Sequence, residues 1–319
     1  MSKINLKQQQ PELYAHDLGA LIDLYLTDCK PRIAPTTVKD YTLALAYLRR
    51  WWQEVGPDKQ WILRKNDMIA FVEWMEVQPS RQGDRLETGT IDTVCKRIKQ
   101  LFQWSYEADY LDRDYGHWLP TINVQPKPRN LPAPAELNRL FRVASESNMA
   151  ARNKAILALL IGTGIRRMEA VDIDIPDITW NPDGSGKIDI RCGKGGKRRT
   201  VVFDAKAGSH VKMHLAITKF KHGPLFRGRN NARLGAKALY SVVKTLVERA
   251  GLSDKIQGPH DLRRMFATEW LRRNHSEGAI QPLSLQLGHS DPQMTLKYSR
   301  QNIGDIQKNF TSPMNAVDE

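Results

Sequence analysis

The chain has 319 residues, room for one large domain or for two ordinary ones that each enclose a core. Hydrophobic residues make up 41% and charged residues 26%, the balance expected of a soluble globular protein, and no run of about 18 apolar residues offers a membrane span. Forty-eight Lys and Arg against 35 Asp and Glu leave a net charge of +13, which points to a polyanionic partner, nucleic acid being the commonest.

The start, "MSKINLKQQQPEL", lacks the apolar core of a secretory leader. Cys29, Cys95 and Cys192 lie far apart with no C-x-x-C pair, which fits free thiols in a reducing cytoplasm and neither a zinc site nor a disulfide frame.

Residues 11 to 30 and 35 to 55 read as helices. In the second, Val38, Tyr41, Leu45, Leu48 and Trp52 recur by threes and fours, one stripe along a helix that opens at Pro35. After a turn at "VGPDK", "NDMIAFVEWMEV" reads as a third helix. "GTIDTVCKRIKQLFQWSYEADYL" reads as a fourth, with Ile91, Val94, Ile98, Leu101 and Ser105 in register and Lys96, Arg97 and Lys99 on other faces. Residues 12–115 are thus expected to form an all-helical unit with basic outer faces.

The proline-rich stretch "LPTINVQPKPRNLPAPAEL" predicts an extended linker over 116–134 with the domain boundary near residue 130. A second domain is expected over 135–319. It begins with a buried helix in "NKAILALLIGTGIRRMEAV", broken at Gly162 to Gly164 and followed by another helix. Ile188, Ile190 and Cys192 alternate with Lys187, Asp189 and Arg191 before Gly195 and Gly196, the pattern of a β-hairpin. His210 and His214 have the i, i+4 spacing of a metal pair but lack the glutamate of H-E-x-x-H, and are expected to be a surface pair. Helical patterns resume at "GAKALYSVVKTLVERAG", where Tyr240 is expected to pack, and at "HDLRRMFATEWLRRN". The fold class expected is mainly α with a small antiparallel β-sheet or hairpin.

Four short pieces carry chemistry. In "TGIRRMEA", Arg166 and Glu169 are three apart at a helix start and share a face. "CGKGGKRR" sets Lys194 beside a glycine turn, followed by Lys197. "HDLRR" puts His260 and Arg263 on one helical face, and Arg264, about 100° further round, is left for DNA backbone or solvent. "LGHSDPQMTLKYSR" holds His289 and Tyr298.

Two arginines are a natural clamp for one phosphodiester, because each guanidinium fork binds phosphate oxygens in pairs. They stabilise the extra negative charge of five-coordinate phosphorus. Tyrosine, with a pKa near 10, needs a base before it can attack, and His260 can be that base. Lys194 can protonate the departing sugar oxygen, and His289 can donate a further hydrogen bond to phosphate. No metal is required, since the arginines carry the positive charge.

In order and spacing these pieces resemble the tyrosine recombinase (phage integrase) family. "TGIRRMEA" is similar to its first arginine box, "GKGGKRRTVVF" to its lysine hairpin, "HDLRR" to its His-x-x-Arg box, and "LGHSDPQMTLKYSR" to its His-plus-tyrosine box. "APTTVKDYTLALAYLRRW" is similar to its core-type DNA-binding helices. The resemblance implies six catalytic positions at Arg166, Lys194, His260, Arg263, His289 and Tyr298, with Glu169 steadying the first arginine. It implies an all-helical core-type DNA-binding domain before a mixed α/β catalytic domain; the basic residues Lys96, Arg97, Lys99, Lys197 and Arg264 are expected to contact DNA. Gln286 departs from the leucine usual at its position.

The function implied is site-specific recombination. Tyr298 attacks a phosphodiester of duplex DNA, forms a 3′-phosphotyrosine and frees a 5′ hydroxyl, with no cofactor and no metal. The partners implied are DNA with a specific target site, a homotetramer in the synapse and an accessory DNA-bending or directionality protein. The tail "IGDIQKNF" has the helical spacing either to dock on a neighbouring protomer or to pack on its own chain. The short lead before the first helix implies no arm-binding domain, and so either a compact Cre- or Xer-like layout or a compact integrase encoded on a mobile element; the place of work expected is the nucleoid in the cytoplasm. The alternatives are a type IB topoisomerase-like DNA-relaxing enzyme and a non-cutting DNA-binding protein on the same fold.

Overall fold

The apolar stripes of the first hundred residues become helices packed on one another. The computed structural model describes residues 18–55, 63–80, 83–124, 132–191, 198–274 and 279–288. Its contacts divide the chain into two compact units, Met1–Lys127 and Pro128–Glu319. The described residues are mainly α-helical with one small antiparallel sheet. No helix among the described residues is long and apolar enough to cross a membrane.

The first unit is built from α1 (Leu18–Cys29), α2 (Pro35–Val55), α3 (Lys65–Glu76) and α4 (Thr88–Glu107). Each lays a stripe of threes and fours against the others. On α4 the expected residues Ile91, Val94, Ile98, Leu101 and Ser105 are all buried, joined by Cys95 and Phe102. On α2 the end of the stripe is Trp51 rather than Trp52, since Trp51 turns its ring edge-on to Phe71 at 5.5 Å and Trp52 stays half-buried. The helix stops at Glu107, where Asp109 takes a φ of 59°, short of the expected extension to Leu111.

At the start of the stretch read as a linker, residues Tyr115–Trp118 form a 3-10 turn, and Leu119, inside that stretch, is buried in the first core with Tyr115. A helix missed by the sequence reading, α5 (Pro134–Ser145), follows. Its start was masked by prolines, yet Pro134 sits at the first helical position, where no backbone N–H is needed. Glu136 closes the cap by accepting from the Ala133 N–H at 2.8 Å.

The second unit is organised on α6 (Ala150–Thr163), buried on most of its circumference from Ala155 to Leu160. Gly162 lies inside this helix; the break falls at Gly164 alone, with φ 64°. After α7 (Arg167–Asp172) comes a sheet of β1 (Ile178–Trp180), β2 (Gly186–Ile190) and β3 (Arg199–Phe203), ordered β1-β2-β3 and antiparallel throughout. The hairpin pattern showed β2 and β3; β1, three residues long, is too short to carry a visible alternation. Ile188 faces both Ile178 and Val201, and these residues turn into the core with Ile190 and Phe203.

Helices α8 (Ala205–Thr218), α9 (Ala236–Arg249), α10 (Pro259–Arg273) and α11 (Ile280–Leu287) complete the described unit. Helix α8 corrects the reading of the histidine pair. His214 is buried, its Nε2 is 3.0 Å from the Leu225 carbonyl, and its ring stacks on Phe226. Only His210 stays partly open, against Phe141. Tyr240 on α9 lies beneath Gly258 and donates to the Gln257 carbonyl at 3.3 Å.

Candidate active site

Helix α6 ends at Gly164, the only kind of residue that takes φ 64° there without strain and without a side chain striking Phe266 and Leu287. The chain then turns, and Arg166 caps α7 in extended conformation. Its backbone N–H and its Nη1 both donate to Glu169, at 2.7 and 2.9 Å. The expected i, i+3 pair is therefore a closed local loop.

Glu169 holds a second arginine that the sequence reading did not single out. Arg199, the first residue of β3, grips the carboxylate with both ends of its fork, each bond 2.7 Å. Each carboxylate oxygen thus accepts two hydrogen bonds. Burial by itself raises the Glu169 pKa, but the bonds from Arg199 and Arg166 and their charges outweigh it and hold the carboxyl down to about 2. A signal was present: Arg199 shares strand parity with Val201 and Phe203, the inward face of β3, but it closes the basic run "KRR", where nothing marks it out from its neighbours.

Helix α10 starts at Pro259. Asp261 accepts from the Gln257 N–H at 2.9 Å and fixes the first turn. Arg263 is buried, with Nη1 on the Gly164 carbonyl at 2.7 Å and Nη2 on the Leu287 carbonyl at 2.8 Å. His260 is exposed over the residue as a whole, but partial loss of its water shell lowers its pKa below the ordinary imidazole value. The charges of Arg263, Arg264 and Arg166 act in the same sense, against Asp261. A neutral imidazole at neutral pH can accept a proton.

These parts meet at the C-terminal end of α11. Three guanidinium groups donate to three successive carbonyls: Arg199 to Gln286 at 3.1 Å, Arg263 to Leu287 at 2.8 Å and Arg166 to Gly288 at 3.1 Å. Positive side chains at a helix C-terminus satisfy its free carbonyls and its dipole. Gly288 takes φ 64°, and a Cβ there would lie 2.8 Å from Arg199 Cδ. Arg166 leaves 26% of its side chain exposed.

Lys194, Lys197, His289 and Tyr298 lie outside the described residues. The structure therefore brings together Arg166, Glu169, Arg263 and, through its field, His260. Arg264 is half-buried one position round the helix. In the first unit Lys96 pairs with Asp92, Arg97 lies over the Tyr41 ring at 4.4 Å, and Lys99 is half-buried. Among the described residues no group of three or more His, Cys, Asp or Glu can hold a metal ion.

The phage integrase family model matches residues 133–304, a span that contains every part of this cluster. The chain belongs to the phage integrase family. It is a tyrosine-type site-specific recombinase, an enzyme that cleaves and rejoins DNA. Among its relatives is tyrosine recombinase XerC of Lactobacillus leichmannii, 25% identical over 279 residues that cover 83% of this chain and 88% of the relative. Tyrosine recombinase XerD of Corynebacterium glutamicum is 35% identical over 153 residues, covering 46% and 48%. The fold is that of a lambda integrase dimer bound to a COC′ core site, with TM-score 0.69 and 15% identity over 98% of this chain and 84% of that one. It is also that of the XerH recombinase bound to its difH substrate in a pre-cleavage complex, with TM-score 0.65 and 20% identity over 90% and 82%.

Proposed function

We propose that this recombinase cuts duplex DNA at a specific site with Tyr298 as nucleophile, and that Arg166 and Arg263 clamp the scissile phosphate. The observation that carries the reading is the meeting of these two arginines, far apart in the chain, on the neighbouring carbonyls of Gly288 and Leu287. His289 and then Tyr298 follow that point in sequence.

The Tyr298 oxygen attacks phosphorus as His260 takes its proton, and a phosphotyrosine bond forms at the 3′ end. The bond to the 5′ oxygen breaks, and Lys194 gives that oxygen its proton. Arg166 and Arg263, with His289 as a further donor, stabilise the charge gained on the nonbridging oxygens. A 5′ hydroxyl from a partner duplex then reverses the steps on a new strand. The bond energy stays in the protein-DNA link, so no nucleotide cofactor takes part. Two duplexes, each held by two protomers, make the working assembly a homotetramer. The +13 charge supports binding dominated by phosphate contacts, with Lys96, Arg97, Lys99, Lys197 and Arg264 among them.

The test uses nicked suicide duplexes from the flanks of the gene, with chelator present and analysis on denaturing gels. Wild type is expected to give a covalent protein-DNA band linked at the 3′ end, and Tyr298→Phe none. A band that persists in Tyr298→Phe removes Tyr298 as nucleophile. Tight binding with no band in wild type favours a non-cutting DNA-binding protein.

A further inference from the structure

We infer that Gln286 and Arg199 are positioning residues that lock the end of α11 onto the edge of the sheet and thereby set the geometry of the cleavage site; this rests on the reading above. Among the described residues β3 is an edge strand, and β2 pairs with one of its sides. On the other side the side-chain amide of Gln286 takes the place of a neighbouring strand. Its Oε1 accepts from the Val202 N–H at 3.0 Å and its Nε2 donates to the Val202 carbonyl at 2.9 Å. Nε2 also donates to the Thr163 carbonyl at 3.2 Å. Gln286 is 7% exposed, so water does not readily replace these bonds.

One amide therefore ties together three backbone segments, and each carries a part of the site. Thr163 precedes Gly164, whose carbonyl holds Arg263. β3 supplies Arg199, which fixes Glu169 and through it Arg166. Helix α11 ends at Gly288, which holds Arg166 and leads directly to His289. Arg199 fastens the same joint a second time, through the Gln286 carbonyl. Neither residue needs to touch DNA. Their effect is to hold two arginines and the start of the His289 segment in one register, and a shift of about 1 Å in such a site costs about 100-fold in rate.

The experiment compares full-length wild type, Gln286→Met and Arg199→Lys. Methionine keeps the length and volume of the side chain without donor or acceptor, and lysine keeps the charge without the fork. Three quantities are read: the single-turnover rate of covalent complex formation on saturating nicked duplex, the DNA affinity, and hydrogen exchange at the Val202 amide. Gln286→Met is expected to slow cleavage about 10- to 100-fold with affinity held and Val202 exchange accelerated. Arg199→Lys is expected to give the same split between rate and affinity.

Folded variants that cleave at the wild-type rate, with only a lower melting temperature, overturn the inference and leave both residues merely structural. Unchanged Val202 exchange in Gln286→Met overturns the tie itself. If Gln286→Met does not fold, Arg199→Lys decides by the same criterion. Failure of the underlying reading is seen separately, as wild type that gives no covalent band or a band that survives Tyr298→Phe.

Discussion

Replacing Glu169 with Gln keeps the shape of the side chain and removes one buried charge from between two arginines. The free carboxyl has an ordinary pKa of 4.5, and the site holds it down to about 2. That difference corresponds to about 3 kcal/mol, at about 1.4 kcal/mol per pH unit. The side chain is 2% exposed, so solvent screening does little to reduce the figure. Because the folded pKa is depressed, the stabilisation is complete above the unfolded value near 4.5. It is lost as the pH falls toward about 2.

Glu169→Gln is therefore expected to destabilise the second unit by about 3 kcal/mol at pH 7. The gap to wild type should narrow steadily below pH 5 and be nearly closed at about pH 2. Urea unfolding at a series of pH values, followed by hydrogen-exchange mass spectrometry of peptides across residues 186–203, reads that unit alone. A difference between wild type and variant that stays constant from pH 7 to pH 3 refutes the electrostatic account. It would assign the role of Glu169 to shape and neutral hydrogen bonding.

Burial lowers the pKa of His214 below the ordinary 6.5; Arg152 acts in the same sense and the bond to the Leu225 carbonyl against it. Its contribution to stability is present above pH 6.5 and is lost as the pH falls below that value. His214→Leu should thus lose less melting temperature than wild type between pH 7.5 and 5.5; an equal loss in both would show that His214 is not the titrating group. Gly288→Ala is expected to cost about 1–3 kcal/mol, because alanine at φ 64° is strained and its Cβ meets Arg199. Thermal unfolding tests this, and a variant within error of wild type would mean that the α11 terminus adjusts freely. DNA affinity should fall linearly in a plot of log K against log salt, and Arg264→Ala should reduce the slope by about 1 if that side chain meets phosphate. An unchanged slope would place Arg264 off the DNA.

Local spacing carried most of what was readable beforehand. The α4 stripe of Ile91, Val94, Ile98 and Leu101 and the parity of Ile188 and Ile190 follow from the 3.6- and 2-residue periods, which depend only on neighbours in the chain. Arg166 and Glu169 meet within one turn for the same reason. Helix α5 escaped notice because its prolines read as breakers, although one of them stands where a helix accepts it. His214 read as a surface group because a histidine pair at i, i+4 gives no sign of which face of α8 turns inward.

By itself, then, the sequence determined α1 to α4, α6, α7, α9 and α10, the hairpin, the two local pairs Arg166–Glu169 and His260–Arg263, and the order of the boxes that mark the family, but not α5, α8 or α11. Tertiary structure alone decided what those pairs hold. Arg199 reaches Glu169 across 30 positions, Arg263 reaches Gly164 across 99, and Gln286 reaches Thr163 across 123. No period links residues so far apart. They are joined because the buried carbonyls at the ends of α6 and α11, and the free edge of β3, must find donors and acceptors once water is excluded. Which side chains supply them is settled only when the helices pack.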